Sequence, residues 1–189
     1  MSKIFIGIDG QKDFVDGALP NKEAQNNVVL MNQAQNDARR HDFDINWTFD
    51  THGADYMDTL EGKKLPIPHC IKGTPGWELH ESLEAEADDP CFEKPTFGSV
   101  KMLNSMILDN ECEPIECIVM CGYDTDICGI SNALMLRAGL PNVPIYWLAF
   151  ASAASSPDNQ IAALNVMLAC QIEVVETYAE YQALLKQYD

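Results

Sequence analysis

The run Ile115-Glu116-Cys117-Ile118-Val119-Met120-Cys121, continued by Gly122-Tyr123-Asp124-Thr125-Asp126-Ile127-Cys128, decides how this chain folds. Its first half is short and apolar, the pattern of a strand buried on both faces. A tight turn follows, and residues 126–138 carry helical spacing that Gly139 stops, with Pro141 just beyond. A buried strand thus delivers a cysteine to the first turn of a helix. Backbone N–H groups and the positive helix end there favour a thiolate, the reactive form of the side chain. A buried, inert cysteine is the competing reading, because free cysteine is among the most buried residue types.

Working outward, the same alternation runs along the whole chain. Strands are expected at 3–9, 45–50, 90–94, 116–121, 143–148 and 172–175, and helices at 22–40, 77–86, 98–109, 126–138, 157–170 and 178–187. Residues 51–76, rich in Gly, Pro and His, are too long for an idle connection and read as a functional loop. Strands separated by helices predict an α/β fold, a six-stranded parallel sheet in three α/β/α layers, in one domain over residues 1–189. Ligands of such sheets bind outside the carboxyl ends of the strands. Asp9, Asp50 with His52, Lys94 and the turn before Cys128 all fall at those ends, which points to one shared site.

Composition narrows the partners. Lys and Arg number 12 against 29 Asp and Glu, a formal charge of −17, so nucleic-acid backbones and anionic membranes are poor partners. No apolar stretch approaches membrane length, and no basic segment with an apolar run opens the chain. The seven cysteines lack zinc-knuckle spacing, and several sit inside strand or helix patterns, as expected of reduced thiols in a cytoplasmic protein.

The chemically marked segments occur in a telling order: Ile8-Asp9-Gly10-Gln11-Lys12-Asp13-Phe14, Asp50-Thr51-His52, Pro68-His69-Cys70 with Gly73-Thr74-Pro75-Gly76, the isolated Lys94, and Gly122-x-x-Thr125-Asp126-x-Cys128. Together they resemble the isochorismatase-like cysteine hydrolases, and within them the nicotinamidase branch, from about Ile4 to Val175. The resemblance implies a triad in which Cys128 is the nucleophile, Asp9 takes and returns the thiol proton, and Lys94 holds the two anions together by charge. Solvated turn acids and exposed lysines are the plainer readings of Asp9 and Lys94. The resemblance also implies a cis peptide between Tyr123 and Asp124, aiming the N–H groups of Asp124 and Cys128 at one oxygen, and a dimer or tetramer of this chain.

The metal reading is partly independent of resemblance. Asp50 and His52 stand two apart, so both can point one way as a strand ends. The loop that follows offers Glu61 and His69, giving oxygen and nitrogen donors suited to a divalent transition metal, zinc first and iron or manganese as alternatives. Asp55 and Asp58 compete with Glu61. Phe14, Phe97, Tyr123 and Trp77 are candidates for a wall against a flat ring, with ordinary core packing the alternative.

Asp124 departs from the family pattern, which usually has a small or apolar residue there. A carboxylate beside the cysteine raises the thiol pKa unless it points away or is protonated. The expected activity is metal-dependent hydrolysis of a small planar carboxamide, nicotinamide first, to acid and ammonia. Another amide, a carbamoyl or ureido compound, isochorismate-type cleavage, or a catalytically silent binding protein are the alternatives.

Overall fold

In the computed structural model, which describes residues 1–188, six strands form one parallel sheet: β1 (Ser2–Ile8), β2 (Asp44–Asp50), β3 (Cys91–Lys94), β4 (Ile115–Gly122), β5 (Ile145–Leu148) and β6 (Glu173–Val175). Their order is β3-β2-β1-β4-β5-β6. The chain builds outward from β1 through β2 to β3, then crosses to the other side of β1 and continues through β4 and β5 to β6. The order therefore reverses between β1 and β4, opening a crevice beyond their carboxyl ends.

Helices cover both faces, as the alternation demands. On one side lie α1 (Lys12–Val15), α2 (Lys22–Arg40) and α7 (Tyr178–Leu185), whose Phe14, Met31 and Tyr181 pack with Phe5, Trp47 and Val119 of the sheet. On the other lie α4 (Val100–Cys112), α5 (Ile130–Gly139) and α6 (Pro157–Ala169), whose Met106, Leu136 and Met167 pack with Ile6, Met120 and Trp147. Strand alternation divides the residues between the two cores, Phe5 facing one and Ile4, Ile6 and Ile8 the other. Burial of each such large side chain contributes about 1.5–3 kcal/mol.

Helix α2 occupies the span the sequence predicts. Asn21 caps it by accepting from the N–H groups of Glu23 and Ala24, and Ala24, Val28, Met31, Ala34 and Ala38 form its buried stripe. Residues 51–76 hold a short turn at Tyr56–Asp58 and helix α3 (Leu60–Lys64), capped by Thr59.

Two expectations are corrected. Residues 77–86 are not helical: beyond a short 3-10 turn at Pro75–Trp77 the chain runs along the β1–α1 turn, with a bridge between Gln11 and Leu79 and bonds from Lys12 N–H to Glu78 O and His80 N–H to Gly10 O. Tertiary pairing there outweighs local helical preference. Nor is 126–138 one regular helix. Thr125–Gly129 forms a π-helical turn, and α5 starts only at Ile130. Cys128 thus sits in a widened turn, a feature frequent at functional sites.

Two close approaches explain glycines. A Cβ on Gly7 would lie 2.3 Å from the Trp47 ring. Gly122 has φ +130°, and a Cβ there would lie 2.0 Å from the Ile8 carbonyl oxygen, so only glycine lets β4 turn away so close to the end of β1.

Candidate active site

Four strand ends meet at the crevice. Asp9 follows β1 with φ +47°, a left-handed conformation unusual for a non-glycine residue. Its carboxylate is fully buried; Oδ1 accepts from Thr48 Oγ1 at 2.6 Å and Oδ2 lies 2.6 Å from Lys94 Nζ. Lys94 ends β3, where it is the register partner of Asp50 on β2. Its ammonium, 1% exposed, also reaches Asp50 Oδ1 at 3.4 Å and Cys128 Sγ at 3.4 Å. One buried cation therefore touches two carboxylates and the thiol.

The electrostatics follow from that arrangement. Burial pushes the Asp9 carboxyl up and Asp50 adds to this, while Lys94 opposes both. Burial alone would lower Lys94, but Asp9, Cys128 and Asp50 hold it well above its ordinary value. Burial also pushes the Cys128 thiol up, with Asp9 reinforcing and Lys94 opposing. Burial of the sulfur thus works against the thiolate that a helix end favours, and Lys94 works for it.

The peptide between Tyr123 and Asp124 is cis. Asn132, in the first turn of α5, donates from Nδ2 to the carbonyls of Cys128 and Phe97 and accepts the Ser99 N–H, tying the turn to the β3–α4 connection.

Asp50, His52, Glu61 and His69 converge beside Lys94, with one ligand atom from each inside a 4.8 Å span. His52 Nε2 lies 2.9 Å from Asp50 Oδ2 and 3.8 Å from Glu61 Oε1. His69 Nε2 lies 3.3 and 3.7 Å from the same two oxygens. Ligands held at ~2.1 Å around a single ion stand about 3–3.4 Å from one another, close to these spacings. His69 Nδ1 lies 2.9 Å from the Ile67 carbonyl, which fixes the proton there and leaves Nε2 free to ligate. Burial and the neighbouring Asp50 push Glu61 up, the repulsion a cation would relieve. The residues fit a divalent metal. Asp55 and Asp58 are exposed and outside the cluster.

Several residues support the site, Gln11 and Asp13 from the quoted Ile8–Phe14 segment and Tyr56 and Thr48 without a sequence signal of their own. Gln11 donates to the carbonyls of Asp50 and Trp77 and accepts the Asp50 N–H, joining the ends of β1 and β2. Asp13 accepts from the N–H groups of Cys70 and Ala18. Tyr56 is buried, its ring edge-on to both His52 and His69. Thr48 reaches Asp9 only because it lies opposite Ile8 in the β1–β2 register.

The aromatic candidates separate. Phe14 is buried and edge-on to His69. Phe97 is 44% exposed. Tyr123 is fully buried in the α2-side core, its hydroxyl donating to Asn27 Oδ1 at 2.8 Å. Trp77 tilts against Phe49 and donates from Nε1 to Thr51.

Asp124 lines an open cleft of about 990 Å³ between the α1–α2 connection and residues 149–161. Its Oδ1 accepts from Asn21 Nδ2 at 3.0 Å. Burial pushes its carboxyl up to about 6, with Asn21 opposing and Asp126 and Asp9 adding to the shift.

A doubly wound parallel sheet with its chemically marked side chains gathered at the reversal of strand order defines an α/β domain whose ligand site lies beyond the strand ends. The isochorismatase domain model matches residues 3–179, and the chain belongs to the isochorismatase family. Among solved structures, a pyrazinamidase/nicotinamidase from Streptococcus mutans is 26% identical, with TM-score 0.79, covering 92% of this chain and 100% of its own. A pyrazinamidase of Pyrococcus horikoshii in complex with zinc is 21% identical, with TM-score 0.79 and coverage of 94% and 100%. N-carbamoylsarcosine amidase from Thermoplasma acidophilum is 23% identical, with TM-score 0.75 and coverage of 92% and 95%. No curated protein matches the sequence significantly. Among the described residues, no helix is long and apolar enough to cross a membrane.

Proposed function

We propose that the chain is a metal-dependent cysteine amidohydrolase that converts a small planar carboxamide, with nicotinamide the leading candidate, to the acid and ammonia. The observation that carries this reading is Lys94 Nζ, 2.6 Å from Asp9 Oδ2 and 3.4 Å from Cys128 Sγ, in a buried site beside four converging metal donors.

Cys128 Sγ attacks the amide carbon while Asp9 takes its proton, a role suited to a carboxyl raised by burial. The N–H groups of Asp124 and Cys128 hold the developing oxyanion. As the C–N bond breaks, Asp9 returns the proton to the nitrogen, which leaves as ammonia, and the acyl group stays on sulfur. Asp9 then takes a proton from water as the water oxygen attacks the thioester; the acid departs and the proton returns to sulfur. Lys94 keeps the summed charge of Asp9 and the sulfur balanced at each stage. Asp50, His52, Glu61 and His69 would hold a divalent metal, zinc first with iron or manganese as alternatives, which when bound supplies Lewis-acid polarisation near the thiol. Phe14 and Phe97 flank the flat ring, while Tyr123 serves the turn. The protein is read as a cytoplasmic homo-oligomer of one-domain subunits.

A second reading, cleavage of a carbamoyl or ureido compound by the same machinery, is favoured by Asp124, whose carboxylate a plain aromatic amide does not use. Ammonia release from a panel containing nicotinamide, pyrazinamide, carbamoyl and ureido compounds tests both. Release from nicotinamide supports the first reading, release from carbamoyl or ureido compounds alone supports the second, and release from none contradicts both.

A further inference from the structure

Asp124 has a free oxygen. Asn21, whose Oδ1 is taken up by the N–H groups of Glu23 and Ala24, gives Nδ2 both to Asp124 Oδ1 at 3.0 Å and to the Ala154 carbonyl at 2.9 Å. The cap of α2 therefore pins one carboxylate oxygen, while among the described residues Oδ2 has no hydrogen-bond partner. Gln160, from α6, lines the same cleft, and its Oε1 is buried without a partner. Gln160 Oε1 thus departs from the rule that buried polar groups are satisfied, while Asp124 offers its second oxygen to the cleft itself. The small side chains of residues 152–156 leave the space beside them open.

We infer that Asp124 is a specificity-determining residue: its Oδ2 accepts from a cationic or N–H-bearing group on the acyl part of the substrate, so the cleft selects amides with a basic or donor substituent and rejects those bearing a carboxylate. The inference rests on the amidohydrolase reading for its place beside the scissile bond, but its test is one of binding. Near pH 8 the Asp124 carboxyl, raised to about 6, is ionised, and the chain's charge of −17 favours approach of cations over anions.

Three planar carboxamides of matched shape make the test: 3-(aminomethyl)benzamide, 3-methylbenzamide and 3-carbamoylbenzoate, titrated calorimetrically at pH 8 into the metal-loaded Cys128→Ala protein. One charge-assisted hydrogen bond predicts about 10–100-fold tighter binding of the ammonium compound than of the methyl compound, with the carboxylate weakest. Adding Asp124→Asn brings the ammonium and methyl compounds within about threefold of each other. Should that variant fail to fold, Gln160→Lys puts a cation into the cleft from α6 and must also erase the preference. Equal affinities, preference for the carboxylate, absence of binding by all three, or a preference that survives these substitutions overturns the inference. If the binding order holds but the unmodified enzyme releases ammonia neither from these three nor from the panel above, the hydrolase reading fails and the recognition role stands.

Discussion

Lys94 and Asp50 are register partners at the ends of adjacent strands, and the lysine ammonium lies 3.4 Å from the aspartate Oδ1. The lysine that joins Asp9 to Cys128 therefore also contacts the four-donor cluster. Triad and cluster share a charge, and a change in one is felt by the other.

Lys94→Met tests that sharing. It leaves Asp9 and Asp50 as two buried carboxylates without their cation, and breaking a buried pair in this way costs about 3–5 kcal/mol. Denaturant unfolding is expected to show a loss of that size together with near-complete loss of amide hydrolysis. A variant as stable as the parent would mean that the lysine does not balance these charges.

Metal content gives a separate check. Protein purified without chelators is expected to carry one divalent transition metal per chain, and His52→Ala to lose it. Chelation removes activity and the stability that metal binding adds, but leaves the fold largely intact, because the donors lie on a strand end and loop outside the two cores. Full occupancy in His52→Ala would move the site elsewhere.

Much of this was legible in the sequence, and the remainder has physical causes. Helix α2 occupies residues 22–40 as expected because cap, apolar stripe and basic last turn agree. Asp9, Asp50, Lys94 and Cys128 could be grouped because parallel strands present their carboxyl ends together. The strand order was not readable, and with it went Thr48, whose bond to Asp9 depends on register with Ile8. Residues 77–86 looked helical from their own composition, yet their backbone pairs with Gly10 and Lys12. The widened turn at Cys128 leaves the apolar spacing of a helix intact, so periodicity is blind to it.

Asp124 makes stability depend on pH. A carboxyl raised from 3.8 to about 6 binds its proton more tightly in the folded than in the unfolded chain. Folding stability therefore falls as pH rises from about 4 to about 6, by up to roughly 3 kcal/mol. Asp126 on the same turn and Asp9 just after β1 add to the repulsion, and Lys22 and Glu23 line the cleft with opposite signs. Asp124→Asn keeps an acceptor for Asn21 and removes the titration. Its stability is expected to match the parent below pH 4 and exceed it above pH 6; a constant difference across that range would show that Asp124 titrates normally.

The most direct test of the account asks where the acyl group goes. During turnover of nicotinamide, or of whichever amide the panel identifies, acid quenching and peptide mass spectrometry should find the acyl group on the peptide carrying Cys128. Cys128→Ala should lose at least about 10³-fold in ammonia release while retaining its metal and unfolding midpoint. Turnover without an adduct, together with substantial activity in Cys128→Ala, would contradict a cysteine nucleophile.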